Sequence, residues 1–216
     1  VAMDRAATAN ALFPPSLTVV RTGTGVGQVT SAPLGISCGA DCSEPYVLGT
    51  TVVLTATPDA NSLFTGWTGA CSGSAPTCTI FISGATSVTA VFQVKTYVLT
   101  LTRTLGGRVT SSPAGIDCGT ACAESYPSPT TVSLTATPEA GFRFEGWSGQ
   151  CTGTGACTVT MTQPRSVSAR FTALLTVSTA GTGTGTVGST PPGIACGTAC
   201  AGWFDGGATV TLTATP

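Results

Sequence analysis

The sequence contains no histidine. That one absence removes Ser-His-Asp and Cys-His catalytic sets, histidine-bearing zinc sites and c-type haem attachment together. Charge is almost as scarce: eight Lys and Arg and nine Asp and Glu make up 8% of the chain, with a formal net charge of −1. No basic patch is present to neutralise several phosphates, which argues against a nucleic-acid partner. Long apolar runs are missing too. Although 42% of the residues are hydrophobic, no uninterrupted run approaches the ~20 residues a spanning helix needs, so no membrane span is expected. Gly and Pro break the chain every few residues, and no stretch keeps a 3.6-residue apolar period long enough for a helix. Asn-x-Ser/Thr is absent, so N-glycosylation is not expected, while the many threonines leave room for O-linked sugars. The first residue is Val1 with no charged-then-apolar leader after it, which reads as a removed signal or a fragment.

The few acids do not assemble into chemistry. Most of the nine sit at turn positions, where solvation or local capping is their ordinary role. Glu44 and Glu124 occupy equivalent places, two residues before Tyr46 and Tyr126, but Gly202 stands at that place further on. Calcium loops of the Asp-x-Asp-x-Asp-Gly kind are absent. No catalytic residue, cofactor site or metal site is therefore assigned, and the chain reads as a non-enzyme.

What is abundant is repetition. The run Pro33 to Cys42 (Pro-Leu-Gly-Ile-Ser-Cys-Gly-Ala-Asp-Cys) returns as Pro113 to Cys122 and again as Pro192 to Cys200. Leu54-Thr55-Ala56-Thr57-Pro58 returns as Leu134 to Pro138 and Leu212 to Pro216. Phe64-Thr65-Gly66-Trp67 returns once, as Phe144-Glu145-Gly146-Trp147. A period of about 80 residues is too long for a solenoid turn and long enough for a small domain with its own core. The expected organisation is an N-terminal segment over 1–16, repeat 1 over 17–95, repeat 2 over 96–172 and an incomplete repeat 3 over 173–216. The junctions around Lys95 and Ala173 are short and lack Gly/Ser linker composition, which predicts a semi-rigid rod.

Within repeat 1, alternating β-branched runs predict six strands: 17–22, 28–31, 51–57, 63–68, 77–82 and 87–94. Repeat 2 carries the same series. Six short strands with turn signals every 8–12 residues predict tandem all-β domains, each a small sandwich, roll or partly open barrel. Val88 and Phe92, like Val167 and Phe171, are expected to close the sheet. Trp67 and Trp147 read as core anchors, with Gly146 marking a bulge that re-aims the indole. An exposed sugar-stacking role is the alternative for both.

Ten cysteines fall as Cys38/Cys42, Cys71/Cys78, Cys118/Cys122, Cys151/Cys157 and Cys196/Cys200. Repeated even sets in small domains belong to oxidising compartments. Pairing Cys38 with Cys71 and Cys42 with Cys78 would strand Cys196 and Cys200, whereas local pairing leaves none over. Local pairing is therefore expected, the crosswise pattern staying open if the chain continues beyond Pro216. A five-residue closed loop contributes at most ~2 kcal/mol, so each staple locks a loop. A four-cysteine zinc site would need both pairs in every repeat, and the third has one. The close pairs have three intervening residues, not the two of a thioredoxin-like redox motif.

The pattern Gly-Ile-x-Cys-Gly-x-x-Cys, Leu-Thr-Ala-x-Pro, Phe-x-Gly-Trp-x-Gly-x-Cys and Val-x-Ala-x-Phe is carried in repeat 2 by 115–122, 134–138, 144–151 and 167–171. It resembles the divergent internalin-B-type B-repeat family of bacterial secreted and surface proteins. The resemblance implies extracellular β-rich repeats with a β-grasp-like or related small fold, used as stalks, spacers or adhesive modules. It brings no catalytic residues, and the cysteine pairs are an elaboration that not every member has.

Two functions are expected. One is an extracellular structural repeat at the cell surface, a stalk, spacer or filament component whose partners are neighbouring repeats or like subunits. The other is adhesion or carbohydrate binding to surface glycans or proteins, accessory to a secreted enzyme in one version. Tyr46, Tyr126 and Trp203, at or next to the same point of each repeat, are its candidate contacts. Asn10 to Phe13 lines up with Thr89 to Phe92 and Ser168 to Phe171, so residues ~6–13 read as the last strand of a preceding repeat. A window from a longer array explains both ends, and a filament built by strand addition is the alternative.

Overall fold

A computed structural model describes residues 13–216. The segment read as a preceding repeat's last strand lies, apart from Phe13, outside the described residues. The chain divides into two compact units, Val1–Lys95 and Thr96–Pro216. There is no helix among the described residues, and so none long and apolar enough to cross a membrane.

The first unit holds eight strands: β1 (Ser16–Thr22), β2 (Gly27–Ala32), β3 (Ser37–Cys38), β4 (Ser43–Pro45), β5 (Thr51–Pro58), β6 (Ser62–Gly69), β7 (Thr77–Phe81) and β8 (Thr86–Val94). They form two four-stranded sheets, in the orders β4-β1-β8-β6 and β3-β2-β5-β7. The inward residues of both build one core, with Leu17, Val29, Val52, Leu54, Val88 and Phe92 all fully buried. Period-two alternation accounts for this: each strand turns every second side chain inward, and β5 reads out, in, half, in, half, in over Thr51 to Ala56. The first strand pairs with the last in parallel, Val19 opposite Val88. The other ladders of the unit are antiparallel.

The second unit repeats this plan with β9 (Thr96–Arg103), β10 (Gly107–Ser112), β11 (Asp117–Cys118), β12 (Ala123–Pro127), β13 (Thr131–Pro138), β14 (Phe142–Gly149), β15 (Cys157–Thr160) and β16 (Arg165–Thr176). Its core centres on Leu99, Val109, Val132, Met161, Val167 and Phe171. It then continues into β17 (Thr186–Thr190), β18 (Ala195–Cys196), β19 (Ala201–Asp205) and β20 (Thr211–Thr215). These give the order β18-β17-β20, while β19 pairs with β16 and so extends its sheet to five strands.

The six strands expected per repeat are present, with two short additions, β3 and β4 in repeat 1 and β11 and β12 in repeat 2, one at each end of the cysteine loop. Two residues of Ser37–Cys38 carry too little pattern to read as a strand from composition. The loop folds because Ser37 O accepts the amides of Gly39, Ala40 and Asp41 at 2.9–3.2 Å. This bends the chain so that Cys38 and Cys42 lie 4.2 Å apart, Cα to Cα.

Candidate functional site

The residues that recur from repeat to repeat are the natural place to look for a site. Trp67 and Trp147 are 3% and 6% exposed. Between Phe64 and Gly66, and between Phe144 and Gly146, the register against the last strand slips by one residue. A side chain at Gly66 would bring its Cβ to 2.9 Å from Gly73 O, at φ +155°, so the bulge requires glycine. Past the bulge the indole turns inward onto Phe64, at 5.0 Å between ring centroids. Its backbone amide donates to Gly73 O at 2.8 Å and its Nε1–H to Ala75 O at 2.9 Å. Trp147 does the same with Gly153 O and Gly155 O, at 2.7 and 3.0 Å. Each tryptophan is a core anchor that pins the loop closed by Cys71–Cys78 or Cys151–Cys157.

Two of the three candidate contact aromatics are also inside. Tyr46 and Tyr126 are 6% and 4% exposed. Their hydroxyls lie 2.8 and 2.7 Å from the hydroxyls of Ser31 and Ser111, and donate more weakly to Pro33 O and Pro113 O. Ser31 and Ser111 in turn accept the amides of Ile36 and Ile116 at 2.9 Å. The phenol is thus a strut between a strand and the proline turn, and no ring face is left for a sugar. Composition concealed this because tyrosine is amphipathic: its body packs and its tip needs one partner. Tyr126→Phe is expected to lower stability by about 1 kcal/mol through loss of that hydrogen bond, read as a shift of the urea midpoint with unchanged slope.

The third repeat departs from the assumed alignment. Four residues after its second cysteine stands Phe204, which is buried and replaces the tyrosine; Trp203 is one residue earlier and faces outward, 40% exposed. A strand turns successive side chains to opposite faces, so a one-residue offset separates a core residue from a surface one. Trp203 sits opposite Leu174, itself 49% exposed. The Arg143 guanidinium lies over the indole at 3.9 Å from its centroid and is held by Glu145 at 2.8 Å. Beside it Arg170 is hydrogen-bonded to Asp205, a bond that, with the aspartate's charge, raises the guanidinium above its ordinary value.

The structure pairs the cysteines locally: Cys38–Cys42, Cys71–Cys78, Cys118–Cys122, Cys151–Cys157 and Cys196–Cys200. No group of three or more Cys, Asp or Glu among the described residues is arranged to hold a metal ion. The hollows at the surface are of two kinds: one beside Arg21, Gly25 and Phe92 is lined mainly by glycine and polar residues, and another, lined by Phe13, Pro14, Pro15, Val47 and Leu48, is apolar; neither gathers acids, bases or nucleophiles. Another ion pair, Arg108 with Asp117, lies exposed on the β10–β11 edge. Its hydrogen bond lowers the Asp117 carboxyl and raises the Arg108 guanidinium, and at such exposure an isolated pair contributes little.

Among solved structures, the chain overlaps the Bacillus anthracis TIE protein over 94% of its own length and 46% of that chain, at 8% identity and a TM-score of 0.44. It thus spans about half of that protein. A streptococcal ancillary pilin is matched over 72% of this chain and 62% of that one, at 8% identity and a TM-score of 0.26. The minor pilin of Streptococcus agalactiae is matched over 79% and 99%, at 8% identity and 0.24. Overlaps this loose carry nothing about what the chain does. No curated protein sequence matches it. The model of the divergent InlB B-repeat domain matches residues 17–96 and again 97–174. With most of its length in those two matches, the buried Phe-x-Gly-Trp anchor and the parallel first and last strands recurring in each, the chain belongs to the divergent InlB B-repeat family.

Proposed function

We propose that this chain is an extracellular structural repeat protein, a length of stalk, spacer or filament at a bacterial surface. One observation carries the reading: the large apolar side chains kept between repeats sit in or against the core, and those exposed in repeat 1 are not kept in repeat 2. Leu17, Ile36, Tyr46, Leu54, Trp67 and Phe92 are buried and have the same residue type in repeat 2 at Leu99, Ile116, Tyr126, Leu134, Trp147 and Phe171. The exposed Leu34, Val47, Leu63 and Phe81 become Ala114, Pro127, Arg143 and Thr160. A shared binding or catalytic site would keep surface residues as well as core ones, whereas a spacer needs only the core and the turns. Five disulfides in short loops favour an oxidising compartment. Alkylation of intact cells before lysis, followed by mass spectrometry, is expected to recover all ten cysteines as disulfides in the envelope or secreted fraction. Free thiols in the cytoplasmic fraction would overturn this reading.

Adhesion through a glycan is the second reading, favoured by the Trp203–Leu174 surface. On a glycan array it requires binding that Trp203→Ala abolishes. Binding left intact by that substitution would remove the assignment.

A further inference from the structure

Phe92 and Leu99 bracket the first repeat boundary and Phe171 and Leu175 the second, which is three residues shorter. At the second boundary this leaves no room for a break. The last strand of repeat 2 runs on as the first strand of repeat 3 within one twelve-residue β16. Residues 165–169 of β16 pair with β9, residues 167–173 with β14 and residues 172–176 with β19. Backbone from both repeats therefore hydrogen-bonds to a single strand. At Thr172 and Ala173 that strand is bonded on both edges, to β14 of repeat 2 and to β19 of repeat 3.

Side chains reinforce the join. From repeat 2, Arg143 lies over Trp203 of repeat 3, and Arg170 bonds Asp205. Arg143 is itself positioned: Glu145 accepts from it, and the hydroxyl of Thr172, 1% exposed, accepts from Arg143 Nε at 3.3 Å and donates to Glu145 at 3.2 Å. Behind this face, the Gly206 amide donates to Phe171 O at 3.0 Å, and the Leu105 amide donates to Gly206 O at 3.2 Å. The two backbones approach so closely that a Cβ on Gly206 would lie 1.7 Å from Leu105 O. The residues in the same places around the first boundary are Leu63, Thr65, Val91, Ser125 and Pro127, and none of them carries a charge.

We infer that repeats 2 and 3 form one cooperative unit, coupled through the shared strand β16 and a clamp made of Arg143, Arg170 and Leu105 on one side and Trp203, Asp205 and Gly206 on the other. This coupling is independent of the role proposed above, since it concerns how the chain opens. Arg143 and Arg170 act as positioning residues: they hold β19 on the common strand, and repeat 2 keeps its own core without them.

The test is native-state hydrogen exchange on the 216-residue chain in increasing urea, read by mass spectrometry. In the parent chain, amides of β13 and β19 are expected to share one opening free energy and one urea dependence. Combined Arg143→Ala and Arg170→Ala substitutions are expected to lower β19 protection about tenfold while leaving β13 unchanged. Gly206→Val, which drives a side chain into Leu105, is expected to act in the same direction and more strongly. The inference is overturned if β19 exchanges separately from β13 in the parent chain. It is equally overturned if the double substitution leaves β19 protection where it was.

Discussion

Replacing Trp147 by alanine is expected to destabilise repeat 2 by about 3–5 kcal/mol, the usual cost of truncating a buried tryptophan. The indole is 6% exposed and meets Phe144 at 4.9 Å between centroids. Truncation leaves a cavity where the two sheets meet and strips Gly155 O of its donor. An 80-residue domain has a total stability of roughly 4–12 kcal/mol, so the loss is a large part of what repeat 2 has. Urea denaturation followed by circular dichroism is expected to split into two transitions. The displaced one belongs to Thr96–Pro216, and that of Val1–Lys95 stays in place. Trp147→Phe, which keeps a ring but not the N–H, is expected to cost less than half as much. A Trp147→Ala shift below about 0.5 kcal/mol, the scale of ordinary surface substitutions, would mean that the indole is a surface platform after all.

Reduction of the disulfides is expected to have an effect of similar size. Each short loop adds little: about 2 kcal/mol for the five-residue loop of Cys38–Cys42 and about 2.5 for the eight-residue loop of Cys71–Cys78, on the chain-entropy estimate. Repeat 1 carries both, and together, at about 4.5 kcal/mol, they slightly exceed the lower bound of its expected stability. A phosphine reductant is therefore expected to lower Tm by roughly 18–36 °C, taking 4–8 °C per kcal/mol for a domain of this size. Calorimetry with and without reductant measures this. A fall of only a few degrees would show that hydrogen bonds alone order the loops, with Ser37 O and Asp117 O each accepting three amides.

Much of the fold was legible because burial here follows a period of two. Thr131 to Ala136 in β13 alternate between solvent and core, and that alternation is visible in the letters. The cysteines that the structure joins are near neighbours in the chain, four to seven positions apart. The parallel pairing of β1 with β8 was not legible, because nothing in either strand distinguishes a parallel from an antiparallel neighbour. Two of the three candidate contact residues, Tyr46 and Tyr126, lie in the core for a related reason. Tyr46 and Trp203 are the same kind of residue to a compositional reading, yet one is a strut in the core and the other a surface ring. The difference is a one-residue offset on a strand, visible only when the cysteines are aligned and Phe204 is recognised as the tyrosine's equivalent.

The words Leu54 to Pro58, Leu134 to Pro138 and Leu212 to Pro216 are identical, letter for letter. By themselves they determine an extended strand that offers leucine and alanine on one face and threonine on the other. Leu54 is 0% exposed and Leu134 6%. Both belong to strands with a ladder on each side, to β2 and β7 or to β10 and β15, and both join a core that takes residues from two sheets. Local sequence selects the backbone conformation and the face, because sterics and side-chain alternation act over a few residues. Whether that face is a core is decided by which distant strands come to lie against it, and that is a property of the tertiary structure alone.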